Sequence, residues 1–305
     1  MSDIGPTDQT VLVTGGAGFI GSHLVDSLVV DNDVRVIDDL STGKRDNVHP
    51  DATLIEADVR DEDALLTALD GVDVVFHQAA QVSVTRSVES PRESFSTNTT
   101  PSLTILDRAR EHGFRVVIAS SCAIYGDPDT TPIAESHRTD PRSPYGLEKL
   151  TVDRYVRLYH DLYGVESVAL RYFNVYGPRQ SGGDYSGVIS IFKRQAMADE
   201  PLTVEGDGSQ TRDFVHVDDV VRANLLAAET EAVGEAYNVG TGSTITIKEL
   251  AALIRDLSGT SAPIQHVEGR EGDIEKSQAD ISKIRTRMGF EPTIELARGL
   301  EMLLR

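Results

Sequence analysis

Tyr145 and Lys149 stand four residues apart at the head of a helix-patterned stretch. That spacing puts a phenol and an ammonium on one helical face. A phenol titrates near ~10 in water. A neighbouring cation favours the phenolate, so the pair can supply a base usable at neutral pH. Lys149 can also hydrogen-bond a ribose and hold a nucleotide beside that base. The spacing alone is common on solvated helix faces, so its meaning depends on what precedes it. Ser120 and Ser121 follow an apolar run near 115–120. A hydroxyl at the carboxyl end of a parallel strand lies where ligands bind, and it can bond the substrate oxygen that loses its proton. Ser121 is the candidate and Ser120 its neighbour.

What precedes the pair is Val11-Leu-Val-Thr-Gly-Gly-Ala-Gly-Phe-Ile-Gly21, an apolar strand running into Gly15, Gly16, Gly18 and Gly21, with helix-patterned residues following at once. The first glycines permit a tight turn, Gly18 lets a pyrophosphate approach the backbone, and Gly21 lets helix and sheet pack closely. The helix start, Phe19 and Ile20 included, offers N–H groups and a partial positive charge to phosphates. Asp38 closes the next apolar run, 17 residues after Gly21. A carboxylate near that distance binds both ribose hydroxyls and repels a 2′-phosphate, which favours NAD over NADP. Asp39 beside it can share the role, with Asp38 preferred.

Around these residues the chain reads as alternating elements. Strand patterns fall near 10–14, 33–38, 53–56, 73–77, 115–120 and 166–171, with helical patterns near 19–30, 61–69, 92–112 and 145–163. This rhythm predicts βαβ units and an α/β fold: a Rossmann, doubly wound parallel sheet with helices on both faces. The expected NAD-binding domain is 1–176, with 212–239 returning to it. Residues 177–305 are expected to form most of a smaller α/β substrate domain, with helical patterns near 187–199, 218–229, 247–257 and 294–304. Ligands then belong in the cleft between the two.

The 305 residues include 49 acidic and 29 basic side chains, a net charge of −20, and the basic side holds 23 arginines against six lysines. The acidic residues are spread along the chain, so they describe a surface, not a tail. Such a surface repels nucleic acid and anionic membranes, and neither is expected as a partner. It predicts a protein adapted to concentrated salt, where screening relieves self-repulsion. The single cysteine, Cys122, excludes an intramolecular disulfide. With no signal-peptide pattern and no apolar stretch near ~20 residues, a cytoplasmic protein is expected. The eight histidines show no metal-ligand spacing such as His-Glu-x-x-His, so no metal is expected.

In combination these motifs resemble the extended short-chain dehydrogenases/reductases that modify nucleotide sugars, over nearly the whole length. The glycine turn, Asp38, Asp58-Val59, His77-Gln-Ala-Ala80, Asn98, Ser121, Tyr145/Lys149, Arg171-Tyr-Phe-Asn-Val-Tyr-Gly-Pro178, Arg212-Asp-Phe-Val-His216 and Arg270-Glu-Gly-Asp273 follow the family's order. The resemblance implies that Asp58 and Val59 flank an adenine, that Ala79, Ala80, Gln81 and Val82 line the cofactor with Asn98 nearby, and that Phe173 lies by the nicotinamide. It implies substrate contacts from Ser83, Asn174, Val188, Arg212 and Arg270. Planar guanidinium forks suit phosphate oxygens. It also implies a homodimer built on the helices near 92–112 and 145–163. The family's Asn-x-x-Gly-Thr reads Asn98-Thr-Thr-Pro-Ser102 here, so a helix must start or kink at Pro101, or the local path differ.

Within the family the chain looks most like UDP-hexose 4-epimerases. Tyr145, helped by Ser121, would take the proton of the sugar 4-hydroxyl while NAD accepts hydride from C4 and returns it to the opposite face. Related 4,6-dehydratases carry an acidic pair after the catalytic hydroxyl; here those positions are Cys122 and Ala123, which argues against dehydration and decarboxylation. Cys122 itself reads as a packing residue, with no activating histidine evident nearby. Ser277, seven residues after Arg270, either leaves room for an N-acetyl group or merely fills a turn. Other nucleotide-sugar reactions on the same scaffold stay open: uronate epimerisation, decarboxylation, reduction. So does a non-catalytic NAD sensor, although a sensor has no need of the base.

Overall fold

The computed structural model describes residues 4–180, 187–269 and 274–304. Its elements run in this order: β1 (Thr10–Thr14), α1 (Phe19–Leu28), β2 (Asp33–Asp38), β3 (Thr53–Glu56), α2 (Glu62–Ala68), β4 (Val74–His77), α3 (Val84–Glu89), α4 (Pro91–Asn98), α5 (Thr100–His112), β5 (Arg115–Ser121), α6 (Pro144–Tyr163), β6 (Ser167–Tyr172) and β7 (Asn174–Tyr176). There follow α7 (Val188–Met197), β8 (Leu202–Glu205), β9 (Thr211–Arg212), β10 (Phe214–His216), α8 (Val217–Glu229), β11 (Glu235–Val239), β12 (Ile245–Thr246), α9 (Ile247–Ser258), β13 (Ile264–Val267), α10 (Ser282–Met288) and α11 (Leu296–Leu304).

Seven strands form one parallel sheet in the order β11-β6-β5-β4-β1-β2-β3. Its central strands are buried on both faces, and their alternation divides the core. Val11, Val13, Val74, Phe76, Val117 and Leu170 join α1 and α8 in one cluster. Leu12, Val75, Val116, Ile118 and Ala169 join α2, α5 and α6 in the other. Each fully buried side chain of this kind contributes about 1.5–3 kcal/mol. The chain order reverses between β1 and β4, which opens a crevice at their carboxyl ends.

The six strands expected from the sequence all lie in this sheet, and β11 adds a seventh. Residues 212–239 divide between the two parts, since β9 and β10 stay outside the sheet while α8 and β11 join it. The segment around Ile284, Met288 and Phe290 also packs on the sheet's first cluster, an assignment the sequence did not suggest. A third cluster, including Ile189, Phe192, Leu202, Val204, Leu250, Ile254 and Leu300, is the core of a smaller lobe built on α7, α9 and α11. Within it Thr246 and Glu249 form a reciprocal capping box that starts α9.

The expected helix over 92–112 is two helices. α4 ends at Asn98, and α5 begins at Thr100 with Pro101 in its first turn, where the missing N–H costs nothing. Of the paths left open at Pro101, the chain takes the fresh start. No helix among the described residues is long and apolar enough to cross a membrane.

Candidate active site

The turn after β1 explains its own composition. Gly15 has φ +69°, and a Cβ there would meet the Ala79 backbone nitrogen at 2.8 Å, so the loops after β1 and β4 nearly touch. A Cβ on Gly21 would stand 2.2 Å from the Gly15 carbonyl oxygen. Gly18 is the N-cap of α1; no side chain caps that helix, and no acidic residue occupies its first turn. An anion suits such a terminus. Phe19 and Ile20 begin the helix, half-buried.

Asp38 ends β2 beside this turn, buried, its Oδ2 accepting the Ala17 N–H (3.0 Å) and its Oδ1 the Leu40 N–H (2.9 Å). Burial raises its carboxyl above the usual range, and the two N–H bonds act against that rise. Asp39 is exposed and turned to Ser41, so Asp38 is the carboxylate packed against the glycine turn. Asp58 is held by Arg60, which keeps it below the usual carboxylate range; Val59 next to it is a core residue. The glycine turn, the uncapped helix start and the buried Asp38 carboxylate beside them together fit a dinucleotide such as NAD.

The loop after β4 forms the other wall. Ala79 donates its N–H to Thr14 Oγ1 (3.1 Å), Ala80 is half-buried, and Val82 is exposed. Asn98 lies beneath the loop, its Oδ1 accepting the Gln81 N–H (2.8 Å) and its Nδ2 donating to the Gln81 carbonyl (3.0 Å). With the rest of its amide turned to Ser94 and Glu148, Asn98 braces the loop. Ser83 caps α3 through the Arg86 N–H. His77, buried below, is bonded to Thr14 Oγ1 (2.7 Å) and Ser102 Oγ (3.0 Å) and is held neutral, down to about 3, mainly by burial.

α6 brings the chemistry to the cleft. Ser143 caps it through the Gly146 N–H and Pro144 opens it, which sets Tyr145 in the first turn. Ser87 Oγ accepts the Tyr145 N–H (3.2 Å). The Lys149 ammonium is buried and donates to the Ala119 carbonyl (2.9 Å), with its nitrogen 6.0 Å from the centre of the Tyr145 ring. Burial pushes the phenol up to about 12, and the neighbouring Ser121 hydroxyl is what acts in the other direction. Burial likewise lowers Lys149 to about 8.

Ser121 closes β5, its Oγ accepting the Ala123 N–H (3.1 Å), which leaves its own proton to donate. Ser120 points elsewhere, to Asp153 (3.3 Å), and belongs to a buried network. There Asp153 and Arg171 pair through both carboxylate oxygens (2.8 and 2.9 Å), and Arg171 also reaches Tyr125. Burial pushes the Cys122 thiol up to about 11. Phe173, 3 % exposed, packs against Tyr125 as part of the core.

On the facing lobe, Asp213 gathers the substrate side. Its carboxylate accepts the N–H groups of Thr241 (2.8 Å), Gly242 (2.9 Å) and Ala279 (3.1 Å) and the Thr241 hydroxyl (2.7 Å). Its carbonyl accepts both the Asn174 N–H (3.1 Å) and the Asn174 Nδ2 (2.9 Å). Neighbouring Arg212 donates to the Thr211 and Ile274 carbonyls, and its charge acts on Cys122. Ser277 is buried, its N–H bonded to the Thr211 carbonyl (3.2 Å). Val188 begins α7 against the small lobe's core. Arg270 lies outside the described residues. Sequence reasoning gave no role to Ser87, Glu148, Asp153 and Asp213, each of which has partners more than 15 residues away.

Comparison with known proteins agrees with this architecture. The NAD dependent epimerase/dehydratase family model matches residues 11–240. A UDP-glucose 4-epimerase from Mycolicibacterium smegmatis is 37 % identical over 95 % of this chain and 95 % of its own. The structure of UDP-glucose 4-epimerase with UDP-glucose from Thermotoga maritima superposes with a TM-score of 0.93 at 38 % identity, covering 97 % of both chains. That of UDP-N-acetylglucosamine 4-epimerase from Methanobrevibacter ruminantium, in complex with UDP-N-acetylmuramic acid, does so at 0.94 and 38 %, covering 98 % of both. With the family model spanning most of the chain and close relatives matching nearly all of it, the protein belongs to the NAD dependent epimerase/dehydratase family.

Proposed function

We propose that the protein is an NAD-dependent 4-epimerase of UDP-hexoses. One observation carries this choice among the family's reactions: Ser121 and Tyr145 meet at the carboxyl end of β5, and the residues that follow Ser121 are a neutral thiol and a methyl. Removing a hydroxyl proton needs the first pair; expelling water needs an acid where Cys122 and Ala123 stand, and a thiol near 11 is a poor one. The names of the relatives support the same reaction.

Ser121 donates to the sugar 4-oxygen and Tyr145 takes its proton. Lys149, anchored on the Ala119 carbonyl, sits where it can bond the nicotinamide ribose. When bound, NAD would supply a hydride acceptor for C4 and a positive charge that favours the Tyr145 phenolate. Gly15, Gly18 and the start of α1 would hold its pyrophosphate, Asp38 its adenosine ribose, and the loop 79–82 its nicotinamide half, with Val59 on the adenine side. Asn174, fixed by the Asp213 carbonyl, and Arg212, anchored on the Thr211 and Ile274 carbonyls, hold the substrate diphosphate while the 4-keto sugar turns, and Tyr145 returns the proton. Ser277 on this lobe is small, and on that size we include UDP-N-acetylglucosamine, with its added N-acetyl group, as a substrate.

We infer a homodimer through α4 and α6, whose outer faces expose Phe95, Leu147, Leu158, Leu162 and Tyr163 by 45–60 %. Apolar side chains grouped in this way mark an interface. The charge of −20 and the free Cys122 thiol suit a salt-rich cytoplasm and oppose binding to nucleic acid or anionic membranes. The functional test incubates the protein in high salt with UDP-glucose, UDP-N-acetylglucosamine or UDP-glucuronate and resolves products by NMR. The C4 epimer of either hexose without net NADH is expected. A dehydrated or decarboxylated product would overturn the assignment.

A further inference from the structure

Glu148 is a carboxylate that the chemistry above leaves unused. It lies between Tyr145 and Lys149 in the chain and is 3 % exposed. Its Oε2 accepts the Ser94 hydroxyl (2.7 Å) and the Asn98 Nδ2 (2.7 Å). Asn98, 2 % exposed, places its remaining bonds on both sides of the Gln81 peptide unit. A continuous path of hydrogen bonds therefore runs from the catalytic helix, through the last residue of α4, to the loop after β4. Burying a carboxylate is costly, and a side chain that served only as filler would be apolar.

We propose that Glu148 is a positioning residue for hydride transfer: through Asn98 it fixes the loop 79–81 against the helix face that carries Tyr145 and Lys149. This role rests on the assignment of that loop and that face as the two walls of the nicotinamide site. Where two reacting groups stand on separate elements, a misplacement of about 1 Å costs on the order of a hundredfold in rate. Ser87 secures the same helix one turn earlier, at the Tyr145 N–H, so α3 and α4 together clamp its first two turns.

The charge of Glu148 has a second effect. Burial pulls Lys149 down to about 8, and Glu148 acts in the opposite direction. Of the other groups facing Lys149, His77 is neutral and Asp153 one turn on is engaged by Arg171 and Arg157, so apart from the Tyr145 phenolate of the working enzyme Glu148 is the negative charge that helps it. Without the Glu148 charge, Lys149 loses its proton at a lower pH.

The test uses the NAD-loaded enzyme and two variants. Glu148→Ala removes both anchor and charge; Glu148→Gln keeps an oxygen for Ser94 and Asn98 and removes only the charge. For E148A we expect kcat to fall about 10–100-fold at unchanged KM for UDP-glucose, with faster loss of NAD on gel filtration. For E148Q we expect NAD retention and KM as in the parent, with the alkaline limb of the kcat profile moved to lower pH. Parental kcat and NAD retention in E148A would overturn the proposal, as would a loss of kcat no larger than the loss of folded protein. Should E148A not fold, parental kcat and NAD retention in Asn98→Ala, which cuts the same path at its next link, would overturn it. Absence of any turnover in the parent protein would instead sink the assigned reaction, which keeps the two failures apart.

Discussion

A methyl group added at Gly21 tests the cofactor turn most directly. The Cβ of Gly21→Ala would lie 2.2 Å from the Gly15 carbonyl oxygen, 2.8 Å from its carbon and 2.9 Å from the Gly16 Cα. All three are backbone atoms in a turn that also abuts Ala79, so no side chain can swing aside. Restoring ordinary contact needs about 1 Å of movement between α1 and the turn, and overpacking of this kind costs about 1–3 kcal/mol. The movement also carries the N–H groups of the helix start away from the pyrophosphate, where each charge-assisted bond is worth about 1.5–3 kcal/mol. Since 1.4 kcal/mol is tenfold, NAD affinity should fall by about 10–100-fold. Gly113→Ala is the control: it sits at φ +79° with nothing within 4 Å of a Cβ, so it costs about 1–2 kcal/mol of left-handed strain and leaves NAD alone. Calorimetric titration with NAD, beside thermal melts of both variants, reads the two effects. If Gly21→Ala bound NAD as the parent does, or if both variants lost affinity in proportion to their melting shifts, the turn would not be the phosphate site.

Tyr145→Phe should keep NAD and the fold while lowering kcat about 10²–10⁴-fold, read by coupled epimerase assay; a smaller loss would mean another group takes the proton. Ser277→Tyr should abolish turnover of UDP-N-acetylglucosamine and spare UDP-glucose, and equal loss on both sugars would count against the gate. Because His77 is held at about 3, the unfolded chain binds one more proton between about pH 3 and 6.5. Stability should therefore rise with pH across that window by about 1.4 kcal/mol per unit, a slope that His77→Gln should reduce in denaturant titrations. With a net charge of −20, the melting temperature should climb from dilute buffer to molar KCl, and a flat response would refute salt adaptation.

What could be read from the chain alone was local. The glycine turn, Asp38 and the Tyr145/Lys149 pair each lie within one element or at its edge, and steric or helical spacing ties their types to their positions. The seventh strand was less legible because Glu235–Val239 is short, and its pairing with β6 spans more than 60 residues. Pro101 announced a disturbance without its form: the break between α4 and α5 became clear only with Asn98 seen beneath Gln81. Lys149 was spaced correctly on the helix, but the acceptor that anchors it, the Ala119 carbonyl, comes from another element. Helical spacing places a side chain on a face; it does not choose among the acceptors waiting there.

The substrate side shows why that limit falls where it does. Asp213 is fully buried, and its four bonds draw on the backbone at Thr241, Gly242 and Ala279 and on the Thr241 hydroxyl. Its own carbonyl grips Asn174. In sequence these partners are 28, 29, 66 and 39 positions away, yet they bring Asn174, Arg212 and Ser277 onto one wall. A single charged acceptor can hold that many donors because each N–H bond to a carboxylate is stronger than a neutral one. Burial meanwhile raises the Asp213 carboxyl, and those donors act against that rise. Loosening any one segment weakens the hold on the others, which makes the wall behave as a unit. Side chains on such a wall, Ser277 among them, can then vary without disturbing Tyr145 and Ser121, whose geometry is set by β5 and α6 on the other side of the cleft.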